Sequence, residues 1–321
     1  MTASASSPPV RAAWRLPAGV LVIAALAVAL ALAQMLGSGV WVGLIARIAI
    51  FGLAALSLSF ILGQGGMTSF GQAAPMGIGA YACLLLGQYD ITDLTLHMAA
   101  AFVSAAVFCA LTGAIALRTR GVYFIMITLA FAQMAYFSLS SLALFGGDDG
   151  MPLAVGPTLF GLKLRGAFPL ATLALAVLAA CLYGAQRITR SRFGMILRGA
   201  KDNEARISAL GYAPFRFRLI AYSLAGGLAG IAGVFLANMS DFVSPSYLNW
   251  HRSGELLIMV VLGGPNRLAG SIVGAALLVL VEEGFGAFTE YWRLGLGVLI
   301  VAVAMLRGAD MRALLRGGRH D

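Results

Sequence analysis

The sequence predicts an all-α, polytopic transmembrane helical bundle of eight to ten spans, some of them broken or re-entrant. Hydrophobic residues make up 60% of the 321 residues and charged residues only 11%, which leaves too much apolar surface for a water-soluble fold. Several windows reach the roughly 20 helical residues needed to cross the hydrocarbon core of a bilayer, and they are nearly free of charge. The 40 glycines fit this class, because small residues let membrane helices approach closely and permit breaks beside a cavity.

Polar residues divide the apolar chain into ten candidate segments. They are 17–36, 40–62, 68–87, 96–117, 121–144, 167–186, 219–240, 253–265, 268–288 and 291–307. The junctions at 63–66 and 263–266 are so short and Gly-rich that each is read as a break within the membrane. The first segment also fits a cleavable signal peptide, since two arginines precede it and Ala31-Leu32-Ala33 resembles a cleavage site.

The distribution of basic residues predicts the orientation of the chain. With a cytoplasmic N-terminus, 17 of the 22 lysines and arginines lie inside, as the positive-inside rule requires. The prediction therefore places a disordered N-terminal segment (1–15), the 187–218 loop and the C-terminal tail (308–321) in the cytoplasm, around a permease domain over 16–307. The turn-rich 146–166 loop is expected outside, either as a solvated loop or facing a soluble partner. The net charge of +9 thus reports topology and not nucleic-acid binding.

The segment from Ser191 to Tyr212 is charged and amphipathic, although it lies between long apolar stretches. On a helical projection, one side carries Ile196, Ala200, Asn203, Ile207 and Leu210, and the other carries Arg198, Lys201, Asp202, Ala205 and Ser208. Asp202 is expected to be an N-cap, Gly211 supplies the left-handed C-cap position and Pro214 prevents continuation. A short helix of this kind can lie flat against a cytoplasmic partner.

Polar side chains within the apolar segments mark a candidate translocation pathway. Gln64, Thr68, Ser69 and Gln72 fall within nine positions of a Gly-rich stretch, and Thr128 and Gln133 interrupt a later segment. Polar groups at membrane depth either bond across the bundle or line a path, so a hydrogen-bonded helix interface is the alternative. Breaks rich in both glycine and amides pack poorly, which favours the pathway.

Other chemistries find little support in the residues. A phosphate-cradling GxxxxGK[ST] loop is absent, since no Gly-Lys dipeptide occurs, and the three cysteines and three histidines have no metal-ligand spacing. The sequence therefore predicts neither an enzyme nor a resident cofactor. Glu282 and Glu283 are read as a solvated helix end, with Arg47 reaching the outer surface. The apparent lack of an intramembrane ion pair argues against the alternative function, an ion-coupled secondary carrier of a small organic solute.

Five stretches, taken in order, carry a resemblance to a known family. They are LGQGGMTSFGQAAPMGIGAYACLLL at 62–86, RGVYFIMITLAFAQM at 120–134, FGGDDGMP at 145–152, SRFGMILRGAKDNEARISALGY at 191–212 and ELLIMVVLGGPNRLAGSIVGAALLVLVEE at 255–283. The chain resembles the inner-membrane permeases of bacterial ABC importers for branched-chain amino acids, of the LivM type. The adjacent acids of the 145–152 stretch and Arg206 depart from the commoner family pattern.

The resemblance implies a site and a set of partners. It implies that the 191–212 stretch fits a cleft in a cytoplasmic ATPase. The residues assigned to this coupling are Gly194, Arg198, Asp202, Asn203, Glu204, Ala205 and Gly211. It also implies two ATPase subunits that bind the ATP, a second homologous permease, a periplasmic solute-binding protein and a location in the bacterial inner membrane. The expected solutes are branched-chain or other hydrophobic amino acids, or related small amides.

Overall fold

A computed structural model of the chain describes residues 18–153, 156–159, 162–164, 166–265, 267–286 and 297. Within them, helices form almost all of the regular structure. The α-helices are α1 (Ala18–Met35), α2 (Gly39–Gly65), α3 (Ala73–Gln88), α4 (Leu94–Ala116), α5 (Val122–Ser140), α6 (Ala167–Arg190), α7 (Arg192–Asp202), α8 (Glu204–Ala209), α9 (Pro214–Ser240), α10 (Trp250–Gly263) and α11 (Leu268–Gly286). Short 3-10 helices cover Ala143–Phe145 and Pro245–Leu248. The all-α class is confirmed.

Helix α2 forms the centre of the bundle. It is 27 residues long, or about 40 Å, which exceeds the roughly 30 Å of a hydrocarbon core. Its most apolar 18-residue window is 94% buried, and the helix packs against α6, α9, α10 and α11. The high hydropathy of α2 is therefore satisfied mainly by other helices of the same chain.

Small residues bring α3, α4 and α9 into close contact. A Cβ atom added at Gly79 would collide with the backbone of Gly230, and one added at Gly233 would collide with the carbonyl oxygen of Met76. Such backbone approach is the usual way to associate helices in a membrane, where lipid removes most of the hydrophobic driving force. The glycine content predicted this mode of packing.

Within the described residues, the structure has fewer membrane-length helices than the eight to ten spans expected. Six helices are long and apolar enough to cross a membrane, namely α2, α4, α5, α6, α9 and α11. Helices α1 and α3 are shorter apolar helices, and α10 has 14 residues. The tenth predicted segment, 291–307, lies outside the described residues apart from the single position 297. Two boundaries are wrong by five residues: the span predicted over 68–87 begins as a helix only at Ala73, and the span predicted over 219–240 begins already at Pro214.

Both predicted breaks are present. Helix α2 ends at Gly65 and is capped by Gly66, which has a φ of 66°, and a non-helical segment over 67–72 leads to α3. Helix α10 ends at Gly263 and is capped by Gly264, which has a φ of 97°, and α11 starts four residues after this cap. Glycine is required at both positions, because a side chain is strained in this left-handed region.

The predicted outer loop pairs with a second loop. Strand β1 (Met151–Pro152) runs antiparallel to β4 (Phe242–Val243), which follows α9, and β2 (Thr158–Leu159) pairs with β3 (Leu162–Lys163). Positive φ values at Gly146, Gly147 and Gly150 make the turn that the GGDDG sequence predicted. The described part of this loop is thus fixed against the end of α9.

Candidate functional site

The 191–212 segment contains two helices and not one continuous helix. Asn203 separates α7 from α8, and its Oδ1 atom accepts a hydrogen bond of 3.0 Å from the Arg206 amide. The N-cap is therefore Asn203, and the prediction of Asp202 was wrong, because Asp202 forms the last residue of α7. Gly211, with a φ of 84°, follows the end of α8 as predicted. The break at Asn203 rules out the single helical face drawn through the whole segment.

Helix α7 is joined to the end of α2 by two cationic side chains. Arg198 Nη1 donates to Gln64 Oε1 at 2.9 Å, and Lys201 Nζ donates to the carbonyl oxygen of Gly63 at 3.0 Å. The last four carbonyls of a helix lack intrahelical partners, and a cation there also interacts favourably with the helix dipole. The two bonds fasten α7 beside the non-helical 67–72 segment, called here the first break. Arg198, which is predicted to act in coupling, thereby contacts Gln64, which is predicted to line the pathway.

Glu204, the first residue of α8, connects three parts of the chain. Its Oε2 atom lies 2.7 Å from Arg218 Nη1 on α9 and 2.7 Å from Arg120 Nη2, between α4 and α5. Arg218 also donates to the carbonyl oxygen of Ala200 on α7 at 2.8 Å. The Arg218 side chain is 14% exposed and that of Arg120 is 72% exposed, so solvent screens the second pair far more. Glu204 therefore fixes α8 mainly to α9.

The other predicted coupling residues divide by exposure. Asp202, Asn203, Ala205 and Gly211 are exposed, as is Arg198 despite its bond to Gln64. Gly194 is buried, and a Cβ atom there would collide with the carbonyl oxygen of Thr189 at the end of α6. Gly194 thus sets the packing of α7 on α6, while the exposed residues form the outward surface of this end of the bundle, called here the α7–α8 end.

The 67–72 segment is held by polar side chains from distant helices. The Phe70 amide donates to Thr128 Oγ1 on α5 at 3.2 Å, and the Ala73 amide donates to Ser253 Oγ on α10 at 3.0 Å. Gln72 Nε2 donates to Ser57 Oγ on α2 at 2.9 Å. Non-helical backbone at membrane depth needs such partners, because an unpaired amide there costs several kcal/mol. Because Ser57 lies about two helical turns before the end of α2, its bond to Gln72 places Gln72 beside the interior of that helix.

The predicted pathway residues fall into two groups. Gln64, Ser69, Gln72 and Thr128 are buried. Thr68 and Gln133 are partly exposed, and the Nε2 atom of Gln133 is buried without a hydrogen-bond partner. Gln64 bonds to Arg198 of α7, Gln72 bonds to Ser57 of α2, and Thr128 bonds to the Phe70 amide of the break, so these three side chains bond across the bundle.

A cavity of about 340 Å³ lies between the first break and the α7–α8 end. Its walls include Gly66 and Thr68 at the first break, Arg120 from the α4–α5 turn, Lys201 from α7 and Arg218 from α9. The Arg120, Lys201 and Arg218 side chains share this cavity with Asp202 and Glu204, and Glu204 pairs with both arginines.

Sequence reasoning missed the partners that lie far apart along the chain. Ser57 and Ser253 hold the break, and Arg218 holds Glu204, but each is an ordinary helix residue in the sequence. Glu282 and Glu283 were read as a solvated end, yet they lie 3.4 Å and 3.1 Å from the Arg47 guanidinium. In the sequence, these residues can be recognised only as polar side chains within apolar windows, and nothing there indicates which residues are their partners.

Comparison with known proteins relates the chain to transport permeases. The family model described as "Branched-chain amino acid transport system / permease component" matches residues 40–304. No solved structure gives a match.

Two curated relatives are named high-affinity branched-chain amino acid transport system permease protein LivM. The one from Escherichia coli K12 is 28% identical over 83% of this chain and 68% of its own length. The one from Salmonella typhimurium LT2 is 30% identical over the same shares. The autoinducer 2 import system permease protein LsrC of Klebsiella pneumoniae is 31% identical over 48% of this chain and 46% of its own. Because the family model covers most of the sequence and the LivM relatives align along it, the chain belongs to the family of permease components of branched-chain amino acid transport systems.

Proposed function

We propose that this chain is a transmembrane permease subunit of an ABC importer in the bacterial inner membrane. It translocates branched-chain or other hydrophobic amino acids, or related small amides, and separate ATPase subunits power it. The observation that carries the proposal is the pair of bonds from Arg198 and Lys201 to the end of α2. A segment exposed on one side and fastened on the other to a helix break has the connections that a coupling element needs.

The proposed orientation places the α7–α8 end and both termini in the cytoplasm. The concentration of arginine and lysine between 187 and 218 supports it, because cytoplasmic loops retain basic residues. The β1–β4 pair then lies on the periplasmic side, where a solute-binding protein docks. Two ATPases dock on the cytoplasmic side, and a second homologous permease completes the pathway in the bilayer.

The mechanism follows the chain of contacts from α7 to α3. ATP binding closes the ATPases, which displaces the exposed surface of α7 and α8. Lys201 and Arg198 transmit this displacement to Gly63 and Gln64, next to the non-helical segment 67–72. That segment joins α2 to α3 and takes up the movement more easily than a continuous helix. Nucleotide and solute thereby bias one equilibrium between inward-facing and outward-facing states, and each affects the binding of the other.

Two variants separate docking from transmission. Ala205→Trp adds a large side chain to the exposed surface of α8, and we expect it to abolish copurification of the ATPases. Arg198→Gln combined with Lys201→Met leaves the exposed surface of α8 unchanged but removes both bonds from α7 to α2. In this variant, we expect the ATPases to remain bound while ATP hydrolysis stimulated by the loaded binding protein falls about tenfold, the effect of losing about 1.4 kcal/mol of coupling.

Arg192→Gln is the matched control, since Arg192 is an exposed cation at the other end of α7. We expect it to behave as the wild type in both assays. A wild-type protein that never copurifies with an ATPase would contradict the proposal. So would transport by the isolated chain in liposomes driven by an ion gradient alone, which is the behaviour of a secondary carrier.

A further inference from the structure

Helices α1, α6 and α11 meet at Gly19, in the first turn of α1. A Cβ atom added at Gly19 would lie 2.8 Å from Leu182 Cδ2 and 3.0 Å from Gln186 Nε2, both on α6. It would also lie 3.4 Å from the Cβ atom of Ala269 on α11. The end of α6 therefore lies beside the beginnings of α1 and α11. In the proposed orientation, these three helix ends reach the cytoplasmic surface of the bilayer.

Three adjoining cavities surround this junction, and Gln186 lines each of them. One is an apolar groove of about 300 Å³ between α1 and α6, and its walls include Val20, Ile23, Ala24, Ala179, Leu182 and Tyr183. A second, of about 410 Å³, adjoins the groove at Tyr183 and includes Arg187 and Arg190. A third, of about 470 Å³, extends from Arg190 to Arg267. The three cavities are called here the α1–α6 cleft, and they join an apolar surface to a basic one.

The arginines of the cleft are available to a ligand. Arg187, Arg190 and Arg267 are exposed, and none has a side-chain hydrogen bond or ion pair with a residue that the structure describes. Within the described ranges, no aspartate or glutamate lines the three cavities. The beginning of α11, at 267–270, also lines the third cavity and contributes the positive end of its helix dipole. The cleft therefore carries uncompensated positive charge, which an anion would balance.

The order of side chains along α6 follows the change in polarity across one leaflet of a bilayer. Ala179 and Leu182 line the apolar groove, and Tyr183 follows them. Arg187 and Arg190 come next, in the last turn of the helix. Aromatic residues are enriched at the level of the lipid headgroups, and basic residues near the surface attract anionic lipids. A small soluble anion would leave the groove empty, whereas a phospholipid fits the whole cleft, because its phosphate is bonded to apolar chains.

We propose that the α1–α6 cleft binds an anionic phospholipid of the cytoplasmic leaflet. Its phosphate lies between Arg190 and Arg267, and one of its acyl chains lies in the groove between α1 and α6. Arg187, in the second cavity, contacts the rest of the headgroup. The proposal goes beyond the proposed import function, and only the choice of leaflet depends on the orientation given with that function.

The charge of the headgroup decides which lipid the cleft selects. An acyl chain that moves from the bilayer into the groove exchanges one apolar surrounding for another, so the groove positions the lipid without selecting it. The three arginines favour a headgroup with a net negative charge, such as that of phosphatidylglycerol. A zwitterionic headgroup, such as that of phosphatidylcholine, would bring a further cation into a basic cleft.

The third cavity also reaches both helix breaks. Gln64, at the end of α2, and Gly263, at the end of α10, line it together with Arg267. Gln64 is the residue that accepts the hydrogen bond from Arg198 of α7. A lipid in this cavity therefore lies against the helix ends beside which the proposed movement occurs, and it stabilises the folded protein by binding to it.

The binding test uses the purified permease with the subunits that copurify with it. Phosphatidylglycerol or phosphatidylcholine with identical acyl chains is added in detergent, and native mass spectrometry measures the bound lipid. Arg190→Gln combined with Arg267→Gln should raise the dissociation constant for phosphatidylglycerol about thirtyfold, since each basic residue near an anionic lipid contributes a factor of roughly five. Arg190→Lys combined with Arg267→Lys should keep most of the affinity, because lysine also binds phosphate as a point charge.

Arg192→Gln combined with Arg216→Gln is the matched control. Both residues are exposed arginines, at the beginnings of α7 and α9, and neither lines the cleft. The control should bind phosphatidylglycerol as the wild type does. An equal loss in the two glutamine double variants would show attraction to the overall charge of the surface and would overturn a defined site. Equal affinity of the wild type for the two lipids would overturn it too.

A second pair of variants tests the groove without changing its charge. Ala24→Trp fills the groove with an indole ring, whereas Ala25→Trp places the same ring at the neighbouring exposed position of α1, outside the groove. Binding of phosphatidylglycerol should be lost in Ala24→Trp alone.

Two other occupants of the cleft give different results. Wild-type binding by Ala24→Trp, or displacement of the lipid by an equal concentration of inorganic phosphate, would indicate a site for a small anion and overturn the lipid site. Loss of a copurifying subunit from Ala24→Trp would make the groove a protein interface and would overturn it as well. These measurements need neither ATP nor a transported solute, so a failure here is distinct from a failure of the import function.

Discussion

The two helix breaks of this bundle are built in different ways. Between α2 and α3, the chain is non-helical over 67–72, and side chains from α5 and α10 accept hydrogen bonds from its Phe70 and Ala73 amides. Between α10 and α11, the chain turns within four residues. There the Gly264 amide bonds to the carbonyl oxygen of Val260 at 2.9 Å, and the Arg267 amide bonds to that of Gly264 at 3.1 Å. The first break depends on distant residues and the second on its own backbone.

Packing follows the same division. A Cβ atom added at Gly263 would collide with the backbone of Gly270, and one added at Gly274 would collide with the carbonyl oxygen of Met259. Helices α10 and α11 therefore form a close hairpin without space to slide. The first break lies beside a cavity of about 340 Å³ and is fastened to α7 by Lys201. Under the proposed function, we therefore expect the first break to be the joint that moves and the second to be a rigid support.

The largest effect is expected at the rigid hairpin. Gly274→Val places methyl groups against the Met259 carbonyl, and backbone cannot yield as a flexible side chain does. We expect a loss of about 3 kcal/mol in the free energy of unfolding, the upper part of the range for overpacking. The thermal midpoint of the purified protein in detergent measures it. Gly284→Val on the same helix is the control, because a Cβ atom there meets open space. Equal midpoints for the two variants would contradict a close-packed hairpin.

An intermediate effect is expected where a distant helix holds the first break. Ser253→Ala removes the acceptor of the Ala73 amide, which is then buried without a partner. The expected cost is about 2 kcal/mol, from the desolvation of one unsatisfied buried donor. The same melting assay applies. Ser223→Ala should change stability little, since Ser223 bonds only the carbonyl of Leu219 in its own helix. A Ser253 variant as stable as the Ser223 variant would argue that the break does not need this contact.

The smallest effect on stability, with the clearest effect on coupling, is expected at Gly66. Gly66→Ala and Gly37→Ala both put a side chain at positive φ, and each should cost about 1 kcal/mol. Only the Cβ atom at Gly66 approaches a neighbour, the Lys201 Cγ atom at 2.9 Å. Binding-protein-stimulated ATP hydrolysis should therefore fall in the Gly66 variant alone. Equal rates of ATP hydrolysis in the two variants would contradict a role for the contact between Lys201 and Gly66 in coupling.

The fold class and the positions of both breaks could be predicted from the sequence, because length, hydropathy and glycine act locally. Capping was harder. Asp202 and Asn203 are adjacent, and either side chain can cap a helix. In the structure α7 continues through Asp202, and Arg218 donates to the Ala200 carbonyl near its end, so the cap is Asn203. That contact spans 18 positions and cannot be read from a local pattern.

The packing of the short stretches between helices was not predictable either. Hydropathy gives the length of a span, but it does not show which connecting residues enter the bundle. In the structure, Leu248 packs against Gly77 of α3, which draws the 245–249 stretch into the bundle. The polar residues of the first break were found correctly as a cluster, but their interhelical partners, such as Ser57, required the tertiary structure.

The burial of α2 has a consequence for how the protein is made. During synthesis, α2 leaves the ribosome before α6, α9, α10 and α11, the helices that later enclose it. Its mean hydropathy of 2.2 lets it enter the bilayer alone, with lipid as a temporary neighbour. Assembly then requires lipid to be displaced from nearly the whole circumference of a helix already in place. The most central helix is therefore inserted before most of the helices that enclose it.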